Sequence, residues 1–268
     1  LFDQHFFDHV ANSLSNASRS FILGLSKKFG NSPVAGETES YYKQINRFSA
    51  AFAFLTDVSM LVLGGGLKRK ETLSARLGDI LSSLYLASTS LKYYEDMGDK
   101  EADLPLVHWA CQTLIFETQE SFHQILSNFP NRIIAGLLRF LIFPTGRNIK
   151  GPLIETTLTI GNLISRNTST RDNLCQGIYI KDEPTNHLAI MQNALELYEV
   201  VYPIKVEVMT ARKKGLIEGQ TLEELVAAAE NASIITKEQV KQLLEYDKVT
   251  LDIINVDDFS EEELTKIH

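Results

Sequence analysis

The sequence predicts an all-α fold: a helical bundle, then an irregular connection and a tail of short helices. Three observations support this prediction. Apolar residues recur at spacings of three and four in nearly every long segment, prolines and glycines fall between those segments, and no pair of alternating apolar runs flanks a hairpin turn. Because 44% of the 268 residues are hydrophobic, a disordered chain is excluded.

Three long helices are predicted first, over 3–25, 37–63 and 68–96. The second is apolar around its whole circumference, which is typical of a helix buried in a bundle. Between the second and third helices, Gly64-Gly65-Gly66 predicts a helix stop. The third helix has the most regular apolar seam, made by Leu73, Leu77, Ile80, Leu84, Ala87 and Leu91.

Two more helices are predicted over 103–128 and 132–143, because Pro130 separates them and Pro144 ends the second. From 145 to 185 the pattern weakens, and only a short helix over 155–164 is expected there. These features predict a first domain over 1–148.

The second predicted domain, 149–268, continues with a helix over 187–214 that is kinked near Pro203. Three short helices are expected after it, because three capping-box pairs follow: Thr221 with Glu224, Thr236 with Gln239, and Ser260 with Glu263.

The charge of the chain is unevenly distributed. The net charge is −8, yet residues 215–268 alone hold thirteen acidic residues and four lysines, a net charge of −9. The preceding residues are nearly neutral, and residues 121–154 contain no aspartate or glutamate. This asymmetry bears on contacts and solubility rather than on the fold.

The acid-free stretch predicts a candidate membrane or partner contact. Its helix over 132–143 is very apolar, and basic side chains flank that helix at a spacing that could meet anionic headgroups. The candidate residues are Arg132, Arg139, Phe143, Arg147 and Lys150. A core helix would show the same pattern, so both interpretations stay open. No uninterrupted apolar run reaches the roughly 18 residues of a membrane span.

A candidate anion-binding turn comprises Gly65, Lys68 and Arg69, because free N–H groups at a helix start beside cations could hold a phosphate. A tight interhelical turn with solvated cations explains the same residues. That second interpretation is favoured, since the other elements of a phosphate-binding loop are missing.

Residues with catalytic or metal-binding chemistry are scarce. His5 and His9 lie four apart beside Asp8, but no third ligand is evident, and no metal site is expected. His108 is interpreted as a hydrogen-bonded core residue and Cys111 as a buried, inert thiol.

Two charged positions in apolar helices indicate structural ion pairs. Arg76 and Asp79, three residues apart, are expected to pair with each other or with a partner helix. Asp57 is expected to pair with Arg76 or Arg69.

Several ordered blocks resemble the C-terminal region of the large bacterial acyl-CoA dehydrogenase of fatty-acid β-oxidation. The resemblance covers most of the chain and is densest from residue 46 to residue 147. Its blocks include Asn46-Arg47-Phe48-Ser49-Ala50, Asp57-Val58-Ser59-Met60, Leu67-Lys68-Arg69-Lys70-Glu71, Ser74-Ala75-Arg76-Leu77-Gly78-Asp79 and Ile142-Phe143-Pro144-Thr145-Gly146-Arg147.

This resemblance implies that the parent protein is an FAD-dependent oxidoreductase acting on CH–CH bonds. It would convert an acyl-CoA to the trans-2-enoyl-CoA, with a glutamate as base, and pass electrons to an electron-transfer flavoprotein. The implied location is cytoplasmic, with peripheral contact to the inner membrane as an option. Implied partners are the remainder of the dehydrogenase chain and a second copy, without nucleic acid.

The chain itself is expected to be a fragment of that enzyme, since it begins at Leu1 without a methionine. The family's base lies in a Glu-Gly motif, and the pair found here, Glu218-Gly219, lies in the acidic tail. No catalytic, flavin-binding or metal-binding residue is therefore transferred, and no cofactor is expected in the fragment. Its expected role is packing, dimer contact or membrane docking. The alternative is a stand-alone helical protein-interaction module.

Overall fold

The computed structural model describes residues 2–26, 29–98, 100–180 and 186–255. Every regular element in those ranges is a helix, which confirms the all-α prediction. The chain divides into two compact units, Leu1–Gly161 and Asn162–His268. The predicted assignment of 1–148 to the family bundle and of 149–268 to an extension stays a prediction.

The first unit is built from five long or medium helices. They begin and end within a few residues of the predicted positions, and α1 packs against α2 and α5 while α3 packs along α4. The helices are α1 (Phe2–Leu25), α2 (Glu39–Leu63), α3 (Glu71–Asp96), α4 (Leu104–Asn128) and α5 (Arg132–Ile142). A sixth helix, α6 (Ile154–Ile164), begins in this unit.

The core of the first unit lies between these helices. All six seam residues predicted on α3 are buried, as their spacing required. Three aromatic rings meet at the centre: the ring centroid of Phe48 lies 5.5 Å from that of Phe122 and 6.3 Å from that of Phe143.

The predicted stop at the three glycines is confirmed, because α2 ends at Leu63 with Gly64 as its C-cap. Residues Gly64–Arg69 form a 3₁₀ helix, entered through Gly64 at φ 51°, a value that glycine adopts without strain. The continuous stretch Glu39–Arg69 is long and apolar enough to cross a membrane by length and composition alone. Core helices meet the same criteria, and Phe48, Ala51 and Leu55 of α2 are fully buried in the bundle.

The prediction that α2 is buried in a bundle holds from Tyr41 to Ser59, where the buried residues of this helix lie, but not for its carboxyl end. Met60 and Leu61, at its carboxyl end, are exposed, and Leu61 is 86% exposed.

The second unit contains a smaller core. Its helices are α7 (Ser169–Cys175), α8 (His187–Lys213), α9 (Leu222–Asn231) and α10 (Lys237–Ile254). α8 continues through Pro203 and packs against α9 and α10. Both predicted capping boxes within the described ranges are formed, Thr221 with Glu224 and Thr236 with Gln239; the third, Ser260 with Glu263, lies outside them.

Candidate functional site

A cleft with a basic lining lies where the start of α3 meets the end of α4. Its volume of about 550 Å³ falls in the size range of small-molecule sites. We call it the basic cleft; its lining residues are Arg69, Lys70, Glu71, Thr72, Leu73, Arg76, Gln124, Ile125 and Asn128.

Of the three basic side chains in the cleft, one forms an ion pair with a described carboxylate and two do not. Nη1 of Arg76 lies 2.6 Å from Oδ2 of Asp79, which confirms the predicted pair within α3. Arg69 and Lys70 are exposed, and no carboxylate in the described ranges forms an ion pair with either. Two cations of the cleft are therefore available to an anion from solution.

The predicted anion-binding turn overlaps the basic cleft only at Arg69. Gly65 and Lys68 are exposed on the 3₁₀ helix and do not line the cleft. A Cβ atom added at Gly65 would meet nothing within 4 Å, so no close approach of a neighbouring group requires glycine there. The residues that sequence reasoning missed are Lys70, Arg76 and the α4 side chains, because their convergence depends on how α3 packs along α4.

Asp57 faces α1 rather than the arginines of the basic cleft. Oγ of Ser13 donates a hydrogen bond to its carboxylate, and Nε2 of His9 lies 3.9 Å from Oδ1. The predicted pairing of Asp57 with Arg76 or Arg69 is therefore wrong. Asp57 on α2 therefore contributes to the packing of α1 against α2.

The second candidate surface is the outer side of α5. Ile133 is 85% exposed, and Leu137 and Phe140 are each 58% exposed, whereas Ala135, Leu138 and Ile142 of the same helix are buried. Arg132 and Arg139 are exposed on this helix as well. We call Arg132, Ile133, Leu137, Arg139 and Phe140 the α5 face.

The other predicted members of that surface have different positions. Phe143 is only 6% exposed and packs in the core against Phe48, so it cannot reach a surface partner. Nη1 of Arg147 lies 2.9 Å from the carboxylate of Glu120. Lys150 is exposed beyond the helix.

Arg47 is a charged core residue whose structural role was not predicted. It is 5% exposed, and its guanidinium carbon lies 5.0 Å from the ring centroid of Phe48 and 5.9 Å from that of Phe143. Burial lowers the pKa of Arg47, and its Nε has no hydrogen-bond partner in the described part of the chain. The sequence feature that could have predicted this role is that Arg47 is the one arginine in the apolar α2 sequence.

A polar cluster joins α2 and α4 beside a cleft of about 510 Å³. The hydroxyl of Tyr41 lies 2.8 Å from Nδ1 of His108 and accepts a hydrogen bond from the amide of Gln112 at 3.2 Å. Burial raises the pKa of Tyr41, so the phenol stays neutral. His108 is thus hydrogen-bonded, as its sequence context indicated.

Cys111, on the same helix as His108, is fully buried, and burial raises the pKa of its thiol to about 12. This agrees with the interpretation of an inert thiol. Within the described ranges, no three His, Cys, Asp or Glu side chains are placed to hold a metal ion together.

Comparison with known proteins gives one family. A model of the family described as acyl-CoA dehydrogenase, C-terminal, bacterial type, matches residues 1–259. No solved structure matches the chain.

Proposed function

The chain belongs to the bacterial-type acyl-CoA dehydrogenase C-terminal family, and we propose that it is the C-terminal helical part of an FAD-dependent acyl-CoA dehydrogenase. The complete enzyme would oxidise an acyl-CoA to the trans-2-enoyl-CoA and pass the electrons to an electron-transfer flavoprotein. The observation that carries this proposal is the family match over 1–259, nearly the whole chain.

Neither of the two clefts described above fits a flavin site. A flavin ring is held in a cavity that excludes water, among apolar groups and directed polar donors. The basic cleft and the cleft beside Tyr41 are open to solvent and carry charged side chains. Glu218, of the Glu-Gly pair, is exposed in the second unit. The proposed contribution of this chain is therefore structural, and no catalytic step is assigned to it.

The apolar surface of α1 supports a packing role. The helix contacts α2 and α5, yet Phe2, Phe6, Phe7 and Leu14 remain exposed. Exposed aromatic and aliphatic residues grouped on one helix are typical of a surface that another protein element covers. We propose that the remainder of the dehydrogenase chain covers this surface.

One substitution in two proteins tests the packing role. Leu14→Ser removes an exposed side chain, so the free energy of unfolding of this 268-residue chain should change by less than about 0.5 kcal/mol. In the complete dehydrogenase the same change should lower the thermal midpoint and the retention of flavin. Equal effects in both proteins would contradict the packing role.

Flavin content and activity together test the proposal that this chain is the structural, C-terminal part of a flavoenzyme. The 268-residue chain should be colourless and inactive towards acyl-CoA, whereas the complete polypeptide should be yellow and active. Stoichiometric flavin in the purified 268-residue chain would overturn the structural role. A reading frame that encodes no β-domain and no Glu-Gly motif upstream would favour the stand-alone interaction module.

The α5 face supports a second candidate role, peripheral contact with an anionic membrane. It combines three exposed apolar side chains with Arg132 and Arg139, in a stretch without acidic residues. The intact chain should sediment with vesicles that contain phosphatidylglycerol, and Arg132→Gln with Arg139→Gln should reduce sedimentation. Lys213→Gln with Lys214→Gln, an equal loss of charge at exposed positions, is the control. Failure of the unsubstituted chain to sediment would exclude this role.

A further inference from the structure

We propose that the basic cleft binds a phosphate group, carried either by a small soluble phosphate compound or by a phospholipid headgroup. The proposal rests on the residues of the cleft and holds whether or not the chain is part of a dehydrogenase. It differs from the anion-binding turn considered from the sequence, because only Arg69 is common to both.

The charges in the cleft favour an anion. Arg69, Lys70 and Arg76 line it together with one carboxylate, that of Glu71. Asp79 neutralises part of the charge of Arg76, but among the described residues this ion pair engages only Nη1 of the guanidinium. The remaining N–H groups of Arg76 can donate to a ligand, because a guanidinium has five.

The surroundings of these cations strengthen their effect. Leu73 and Ile125, which also line the cleft, are buried residues of the core, so one wall of the cleft is apolar. Charges beside an apolar wall are less screened than charges on an open surface. The first residues of α3, Glu71 and Thr72, lie in the same lining, and first-turn N–H groups of a helix lack acceptors within that helix.

The α4 side of the cleft carries two side-chain amides, of which one can donate to a ligand. Nδ2 of Asn128 donates to the backbone carbonyl of Gln124 at 2.8 Å, so the Asn128 amide is already engaged. The side chain of Gln124 is exposed at the rim and can donate to a phosphate oxygen. The cleft thus offers donors from two helices to one anion.

Substitutions of the acidic and of the basic residues of the cleft should change phosphate affinity in opposite directions. The carboxylate of Glu71 opposes a phosphate, so Glu71→Gln should tighten binding, whereas Arg69→Gln with Lys70→Gln should weaken it at least about tenfold. Lys213→Gln with Lys214→Gln, exposed in the second unit, removes the same charge elsewhere and should have no effect. Circular dichroism of each variant verifies that it is folded.

The first arm of the experiment titrates the intact chain with inorganic pyrophosphate in a calorimeter at low ionic strength. The second arm measures sedimentation with vesicles of phosphatidylcholine that contain or lack phosphatidic acid. Saturable pyrophosphate binding with the predicted order of variants identifies a soluble phosphate compound as the source. Sedimentation that requires phosphatidic acid and follows the same order, without pyrophosphate binding, identifies the lipid headgroup.

The proposal is overturned if neither probe binds, or if binding is unchanged by the paired substitution of Arg69 and Lys70. It is also overturned if Glu71→Gln weakens binding as much as that pair does, since the effect would then come from altered folding of the cleft.

Discussion

Nη2 of Arg47 donates a hydrogen bond to the backbone carbonyl of Ile142 across 3.1 Å, inside the core of the first unit. Ile142 is the last residue of α5, so a positive charge lies at the carboxyl end of that helix, where the helix dipole favours it. The bond joins α2 to α5 over a sequence separation of 95 residues. Arg47 therefore helps to position the helix that carries the α5 face.

Arg47→Ala should lower the free energy of unfolding by about 3 kcal/mol, because it removes a buried stem and a hydrogen bond from a charged donor. Arg47→Met keeps an unbranched stem of similar length and removes a charge that burial disfavours, so its loss should stay below about 1.5 kcal/mol. Urea denaturation followed by the fluorescence of Trp109, the single tryptophan, reports on this unit. Equal losses in the two variants would show that packing of the stem is not the main contribution.

The contact between Ser13 and Asp57 should stabilise the docking of α1. Ser13→Ala removes a donor to a carboxylate, and we expect a loss of about 1–2 kcal/mol with faster hydrogen exchange in α1. The matched control is Ser18→Ala, since the exposed Ser18 hydroxyl donates to the Leu14 carbonyl of its own helix and, within the described ranges, to no other helix. A control effect as large as that of Ser13→Ala would contradict the assignment.

Two helical glycines should respond to alanine with opposite signs. A Cβ atom at Gly24 would lie 2.8 Å from Cδ of Pro144, so Gly24→Ala should force the ends of α1 and α5 apart and cost about 1–3 kcal/mol. A Cβ atom at Gly78, inside α3, would meet nothing within 4 Å. Gly78→Ala should therefore stabilise the chain by about 0.5–1 kcal/mol through helix propensity.

Urea denaturation measures both changes in the same unit. Stabilisation by Gly24→Ala would show that Pro144 moves aside at little cost, and it would contradict the close approach of the two helices.

The features that the sequence predicted correctly depend on neighbours within one helix. The α3 seam follows from a local period, the pairing of Arg76 with Asp79 from a spacing of three, and the two capping boxes from the four residues of each motif. The short helix α7 was missed because its sequence, STRDNLC, is largely polar and has no apolar face.

The features that were missed depend on which helices pack together. Asp57 and Arg76 lie on consecutive helices, yet Asp57 faces α1 and Arg76 pairs within α3. Phe143 follows α5, whose outer side is apolar and exposed, but its own side chain lies in the core. Gln124 joins Arg69 in the basic cleft only because the end of α4 lies beside the start of α3. The periodicity of a single sequence therefore predicts where the helices lie along the chain, but it does not predict which helices pack against each other.

Cys111 should be unreactive in the folded chain over a wide pH range. Burial raises the pKa of its thiol to about 12, so at pH 8 only about one molecule in 10,000 carries the reactive thiolate. Iodoacetamide should therefore label the partly exposed Cys175 first, and label Cys111 only after urea denaturation. Peptide mass analysis distinguishes the two sites, and labelling of both at equal rates in the folded chain would contradict the burial of Cys111.

The same pKa difference predicts an alkaline loss of stability. The thiol of Cys111 ionises near 9.0 without burial and near 12 when folded, so between these values the unfolded chain binds fewer protons than the folded chain. By linkage, stability falls as the pH rises above about 9. Cys111→Ala removes this contribution, so the decline in the urea midpoint between pH 8 and pH 10 should be smaller in the variant than in the original chain. An identical decline in both would show that other groups cause it.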